Sequence, residues 1–251
     1  MTGIRTASRD RPGVWALGPA ACLSAALATL FWANTLNGSG TGMSVWAMSG
    51  LNLPPVSSLP SHPQDWSAAY ALLMVLMWWS MMLAMMLIPL TVQFAQSRKA
   101  PNLTQATAFL SGYGLVWLGF SVMAASLQWL LERQGLLHPF MMWSLSAPLS
   151  AFLLVFAGIY QLHPLKSGSR SACHPDNFSL ARGLRFGAFC VLSTAPLMLL
   201  FFAGGLMNLY WMIALTLIVL VERTVPVASR YDWPLATMLI GLGLWTAFPG
   251  S

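Results

Sequence analysis

The chain has 251 residues, of which 57% are hydrophobic and 7% charged, and its mean hydropathy is +0.67. A water-soluble domain carries roughly a quarter charged residues, so this composition excludes a soluble fold and indicates an integral membrane protein whose first partner is the lipid bilayer. The net charge of +6 does not indicate a nucleic-acid partner, because the Lys and Arg residues are confined to short stretches between apolar runs, where they set topology.

Residues 1–13 form a basic N-terminal segment with Arg5, Arg9 and Arg11, expected on the cytoplasmic side. Residues 14–251 then read as a single transmembrane helical domain with seven apolar runs, at about 14–34, 67–90, 107–131, 141–162, 184–204, 206–221 and 234–248. The predicted fold class is all-α, a polytopic transmembrane helix bundle of about seven spans, since helices satisfy their own backbone hydrogen bonds in lipid. The apolar part of the first run is near 20 residues, longer than the 7–15 of a signal peptide. It is expected to be a retained span and not a leader cleaved near Ala33.

Between the first two runs, residues 37–66 lack Lys and Arg and are rich in Gly, Ser and Pro. They read as a loop on the membrane surface, anchored by Trp46 and Trp66. Met43, Met48, His62 and Asp65 could also gather a cation there.

The second run contains MWWSMMLAMMLIP, residues 77–89. At 100° per residue, Met74, Met77, Met81 and Met85 fall within an arc of about 80°, with Met82 and Met86 on its edge. Thioethers are soft, neutral ligands that favour Cu(I) and remain uncharged in a low-dielectric interior. The same residues also fill irregular gaps between helices and pack against Trp78 and Trp79, so a core-facing stripe is the plain alternative. Gly112, Gly114 and Gly119 of the third run suit close helix contacts.

The fourth run ends at His163-Pro164, and Lys166 is expected near its negative dipole end at head-group level. The following basic loop carries Cys173 and His174, borderline-soft ligands that with His163 supply at most three of the four needed for a closed zinc site. Three cysteines, Cys22, Cys173 and Cys190, are too few for a disulfide framework. In the fifth run, Cys190 lies near Ser193 and Thr194, whose hydroxyls are expected on carbonyls of the preceding turn. The sixth follows across Gly204-Gly205 as a tight hairpin and ends with Glu222 beside Arg223, a charge pair at the membrane boundary. With the N-terminus inside, eleven of the twelve Lys and Arg residues lie on the cytoplasmic face and Arg133 alone outside.

No nucleotide-binding loop, H-E-x-x-H helix or G-x-S-x-G elbow is present, so no enzymatic activity is expected. All six acidic residues, Asp10, Asp65, Glu132, Asp176, Glu222 and Asp232, lie in loops or at span ends, which disfavours ion-coupled transport.

Three motifs carry a resemblance. They are W-x-x-M-M-x-A-M-M followed by Pro89, A-G-x-Y-Q-x-x-P-L-K at 157–166, and G-L-M-N-x-x-W-M ahead of Glu222. Over roughly residues 67–224 the chain resembles a bacterial family of predicted metal-binding integral membrane proteins, some of them called copper chaperones. The resemblance implies a multi-pass protein of the bacterial inner membrane with suspected metal binding. The family tends to have a cysteine pair after the lysine and a cysteine cluster in the following span. Here Ser169 stands at the first position of the pair and Cys173 at the second; Cys190 matches the cluster, with Ser193 and Thr194 in place of its other cysteines.

The expected function is soft-metal binding or delivery, with copper as cargo. Met81, Met82, Met85 and Met86 would form a membrane-embedded site faced by Cys190 and Met207. Cys173 with His174 or His163 would pass the metal to a copper-requiring enzyme. The alternative is a non-catalytic accessory subunit of a larger membrane complex, with the same Met, Trp and Gly residues packing against partner helices.

Overall fold

The computed structural model describes residues 18–39, 66–97, 101–138, 142–164, 166, 178–206, 208–224 and 229–247. Among them the fold is all-helical, with one isolated antiparallel bridge between Leu137 and Ser144. The helices are α1 (Pro19–Leu36), α2 (Ala68–Gln96), α3 (Leu103–Arg133), α4 (Ala147–Gln161), α5 (Leu180–Leu199), α6 (Leu209–Thr224) and α7 (Ser229–Ala247); a single turn, Phe201–Gly204, extends α5. Four are long and apolar enough to cross a membrane: α1, α2, α3, and α5 with its added turn. α4 is a shorter apolar helix.

Local chemistry sets the ends of these helices. Pro19 and Pro148 occupy the first turns of α1 and α4, where a missing N–H costs nothing. Ser67 accepts from the Tyr70 amide at 3.2 Å and Ser179 from the Arg182 amide at 3.3 Å, each satisfying a donor of the first turn. Asn208 does the same for α6, its side-chain oxygen taking the Tyr210 and Trp211 amides. The expected run at 141–162 becomes a helix only from Ala147. Before it, Met142 has a φ of 55°, and Ser144 bridges to Leu137 and donates its amide to Phe202. The turn before α6 has Gly205 at a φ of 90°, the left-handed conformation expected of that glycine.

α2 is the central helix, packing against α1, α3 and α6; α3 packs against α5, and α4 against α7. Every residue from Ser80 to Leu87 is buried, so this stretch of α2 is covered on every side and not only on its methionine face. Leucine, phenylalanine and tryptophan side chains such as Leu72, Phe152, Leu217 and Trp245 project from the outer surface, an apolar area of the kind lipid covers. α3 and α5 meet backbone against backbone at two glycines. A methyl group on Gly112 would collide with the Leu180 carbonyl, and one on Gly183 with the Phe109 backbone. Gly119 has nothing within 4 Å of such a group, so of these three expected contact glycines Gly112 alone meets a neighbouring backbone. Gly114 instead offers its carbonyl to Trp79 Nε1 at 2.8 Å.

Candidate metal site

Met81, Met82, Met85 and Met86 are each no more than 2% exposed. On a regular helix they span an arc of about 140°, and the pairs 81/85 and 82/86 lie one turn apart with Cβ atoms about 5–6 Å from each other. Three rotatable bonds per side chain let the two thioethers of each pair approach one another. Four residues further on is Pro89, which has no N–H, so the Met85 carbonyl lacks its usual helical donor. A polar oxygen therefore sits within the same turn as the sulfurs.

The surroundings are apolar and aromatic. Trp78, fully buried one turn before Met82, packs against Phe202 with ring centroids 5.3 Å apart and against Phe201 at 6.4 Å. Beyond the methionines, Phe94 packs on Phe109 and Phe178. Met198 of α5 and Met212 of α6 are buried too, at 0% and 1% exposure. Sequence spacing did not single these two out, because burial of an isolated methionine depends on which helices meet, and α6 is the one that packs on α2.

Cys190 is buried on α5, and its sulfur meets side chains from α3 and α6. Tyr113 Oη lies 3.4 Å from its sulfur, and Arg223 Nη2 donates to the sulfur at 3.4 Å and to Ser193 Oγ at 2.5 Å. Ser193 and Thr194 donate back to the Cys190 carbonyl at 2.9 and 2.8 Å, as the sequence suggests. A guanidinium this close opposes a second positive charge on that sulfur. His163 lies exposed beyond the end of α4, its ring stacked on Tyr160 with centroids 6.1 Å apart. Cys173, His174 and Met207 lie outside the described residues, as do Met43, Met48, His62 and Asp65.

Charge pairing at the ends of α4 and α6 differs from the expectation. Lys166 is buried within the bundle, 1% exposed, and it donates to Glu222 at 2.6 Å and to Asp232 of α7 at 3.2 Å. Glu222 therefore pairs with Lys166, and its neighbour Arg223 turns to Ser193 and Cys190. Adjacent residues on a helix point about 100° apart, so Glu222 and Arg223 face different neighbours.

Among the described residues no three of His, Cys, Asp and Glu assemble into a metal-binding group. A family model described as copper chaperone, PpoB2, matches residues 75–246, from α2 into α7. No curated protein and no solved structure matches the chain.

Proposed function

The chain belongs to the PpoB2 copper chaperone family, and from that premise we propose that it carries Cu(I) on Met81, Met82, Met85 and Met86 and passes it to a copper-requiring protein. The observation that supports this reading is the complete burial of four thioethers within six residues of the central helix. Neutral soft ligands suit a monovalent soft cation, and they avoid the cost of burying thiolates or carboxylates. The Met85 carbonyl, left without its usual donor by Pro89, adds a polar atom beside them. Copper is cargo in this reading, and the protein catalyses no reaction.

In this reading Cys190 and Met207 take part in delivery, and Cys173 with His174 or His163 forms the handover point. We assign the protein to the bacterial inner membrane with its N-terminus in the cytoplasm, following the distribution of Lys and Arg. Outward-facing apolar side chains are what lipid covers, and they favour no accessory-subunit role over this one.

The test is copper content by elemental analysis of detergent-purified protein loaded anaerobically with Cu(I), for wild type and for the variant with Met81, Met82, Met85 and Met86 all changed to Leu. About one copper per chain is expected in the wild type and none in the variant. Full occupancy in the variant would sink the proposal.

A further inference from the structure

A chain of hydrogen bonds runs from a partly exposed carboxylate to the first sulfur of the methionine helix. Glu132, one residue from the end of α3, accepts from Trp66 Nε1 on Oε2 at 2.8 Å and from Gln128 Nε2 on Oε1 at 2.8 Å. Gln128, one turn deeper and 0% exposed, accepts from Trp78 Nε1 at 2.9 Å, and its Nε2 lies 3.7 Å from Met74 Sδ. An indole N–H can only donate and a carboxylate can only accept. Trp78 therefore holds the amide oxygen, and the amide NH₂ must face both Glu132 and Met74. Gln128 is oriented by its neighbours and bridges a carboxylate and a thioether.

We propose, building on the copper-handling reading above, that Glu132 and Gln128 form the point at which a soft monovalent cation passes from the rim of the bundle to the methionines. The path leads inward from the half-buried carboxylate to the fully buried amide and the 1% exposed Met74. From Met74 the sulfurs of Met77, Met81 and Met85 follow along one side of α2 over about 16 Å, roughly half the hydrocarbon thickness. The neighbouring cation does not compete for the carboxylate. Arg133 is exposed and lies over the Trp129 ring, 4.7 Å from its centroid. A cation arriving at Glu132 displaces the Gln128 amide hydrogens, and the same displacement uncovers the Met74 sulfur. Loading at the rim and opening of the first thioether are thus one event.

The experiment presents Cu(I) anaerobically as its cationic acetonitrile complex to the full chain in detergent, with rapid desalting and elemental analysis at timed intervals for the rate and for the final copper content. Glu132→Gln is expected to slow loading by about tenfold or more, since the focusing charge is lost, and Glu132→Asp to recover part of the rate. Trp66→Phe keeps the carboxylate and removes one of its hydrogen bonds, so it should load at least as fast as wild type. Added salt should slow the wild type but not Glu132→Gln. Wild-type loading by Glu132→Gln would overturn the proposal. So would equal slowing in Glu132→Gln and Trp66→Phe, which would make the network a structural tie between α2 and α3. A wild type that takes up no copper removes the copper-handling reading as well, whereas a loading wild type with an equally fast Glu132→Gln removes the access route alone.

Discussion

Tyr160 donates its hydroxyl to the backbone carbonyl of Leu192 at 2.6 Å. That carbonyl lies four residues before Pro196, inside α5, so the proline denies it the usual helical partner. One side chain from α4 thus repairs a defect built into α5 and holds the two helices together.

Tyr160→Phe is expected to cost about 1 kcal/mol, the net value of a typical hydrogen bond. In a Pro196→Ala background the helix supplies its own N–H to Leu192, and the same substitution should cost close to nothing. Thermal unfolding in detergent of the four proteins of this cycle measures the coupling. An equal loss in both backgrounds would show that the tyrosine acts through something other than the carbonyl.

Lys166 balances two carboxylates, and its removal should be the most damaging change in that cluster. Lys166→Met leaves Glu222 and Asp232 facing each other without a cation, with an expected loss of about 3–5 kcal/mol. Glu222→Gln should cost less, and Asp232→Asn least, because Asp232 is more exposed and its contact longer at 3.2 Å. A ranking by unfolding temperature with Asp232→Asn at the bottom would refute this order.

The glycines at the α3–α5 crossing should be intolerant of a single methyl group. Gly183→Ala or Gly112→Ala forces the two backbones apart and should destabilise by about 1–3 kcal/mol, the usual cost of overpacking. Gly119→Ala, with open space around it, should be neutral or stabilising by up to about 1 kcal/mol through helix propensity. Comparable losses at Gly119 and Gly183 in the same unfolding assay would mean that proximity is not the cause.

Within the candidate site, the spacing of Met81, Met82, Met85 and Met86 was legible because it is a property of one helix. Their burial on every side was not, since α1, α3 and α6 cover α2 from elsewhere in the chain. Gln128 carried no signal either. An isolated glutamine in an apolar run acquires its role only when Trp78, Met74 and Glu132 surround it.

The all-helical class, the approximate positions of the helices, the glycine turn before α6 and the clustering of thioethers were all readable from short stretches of the chain. These follow from interactions within a few residues, because a helix in lipid must satisfy its own backbone and needs a matching length of apolar chain. Tertiary structure alone decided which polar groups meet: Lys166 with Glu222 across 56 positions, Trp66 with Glu132 across 66, and Cys190 with Tyr113 across 77. Nothing local selects such partners. They are chosen by how helices pack, and in a low-dielectric interior each buried polar group must find a partner among whatever that packing brings within reach.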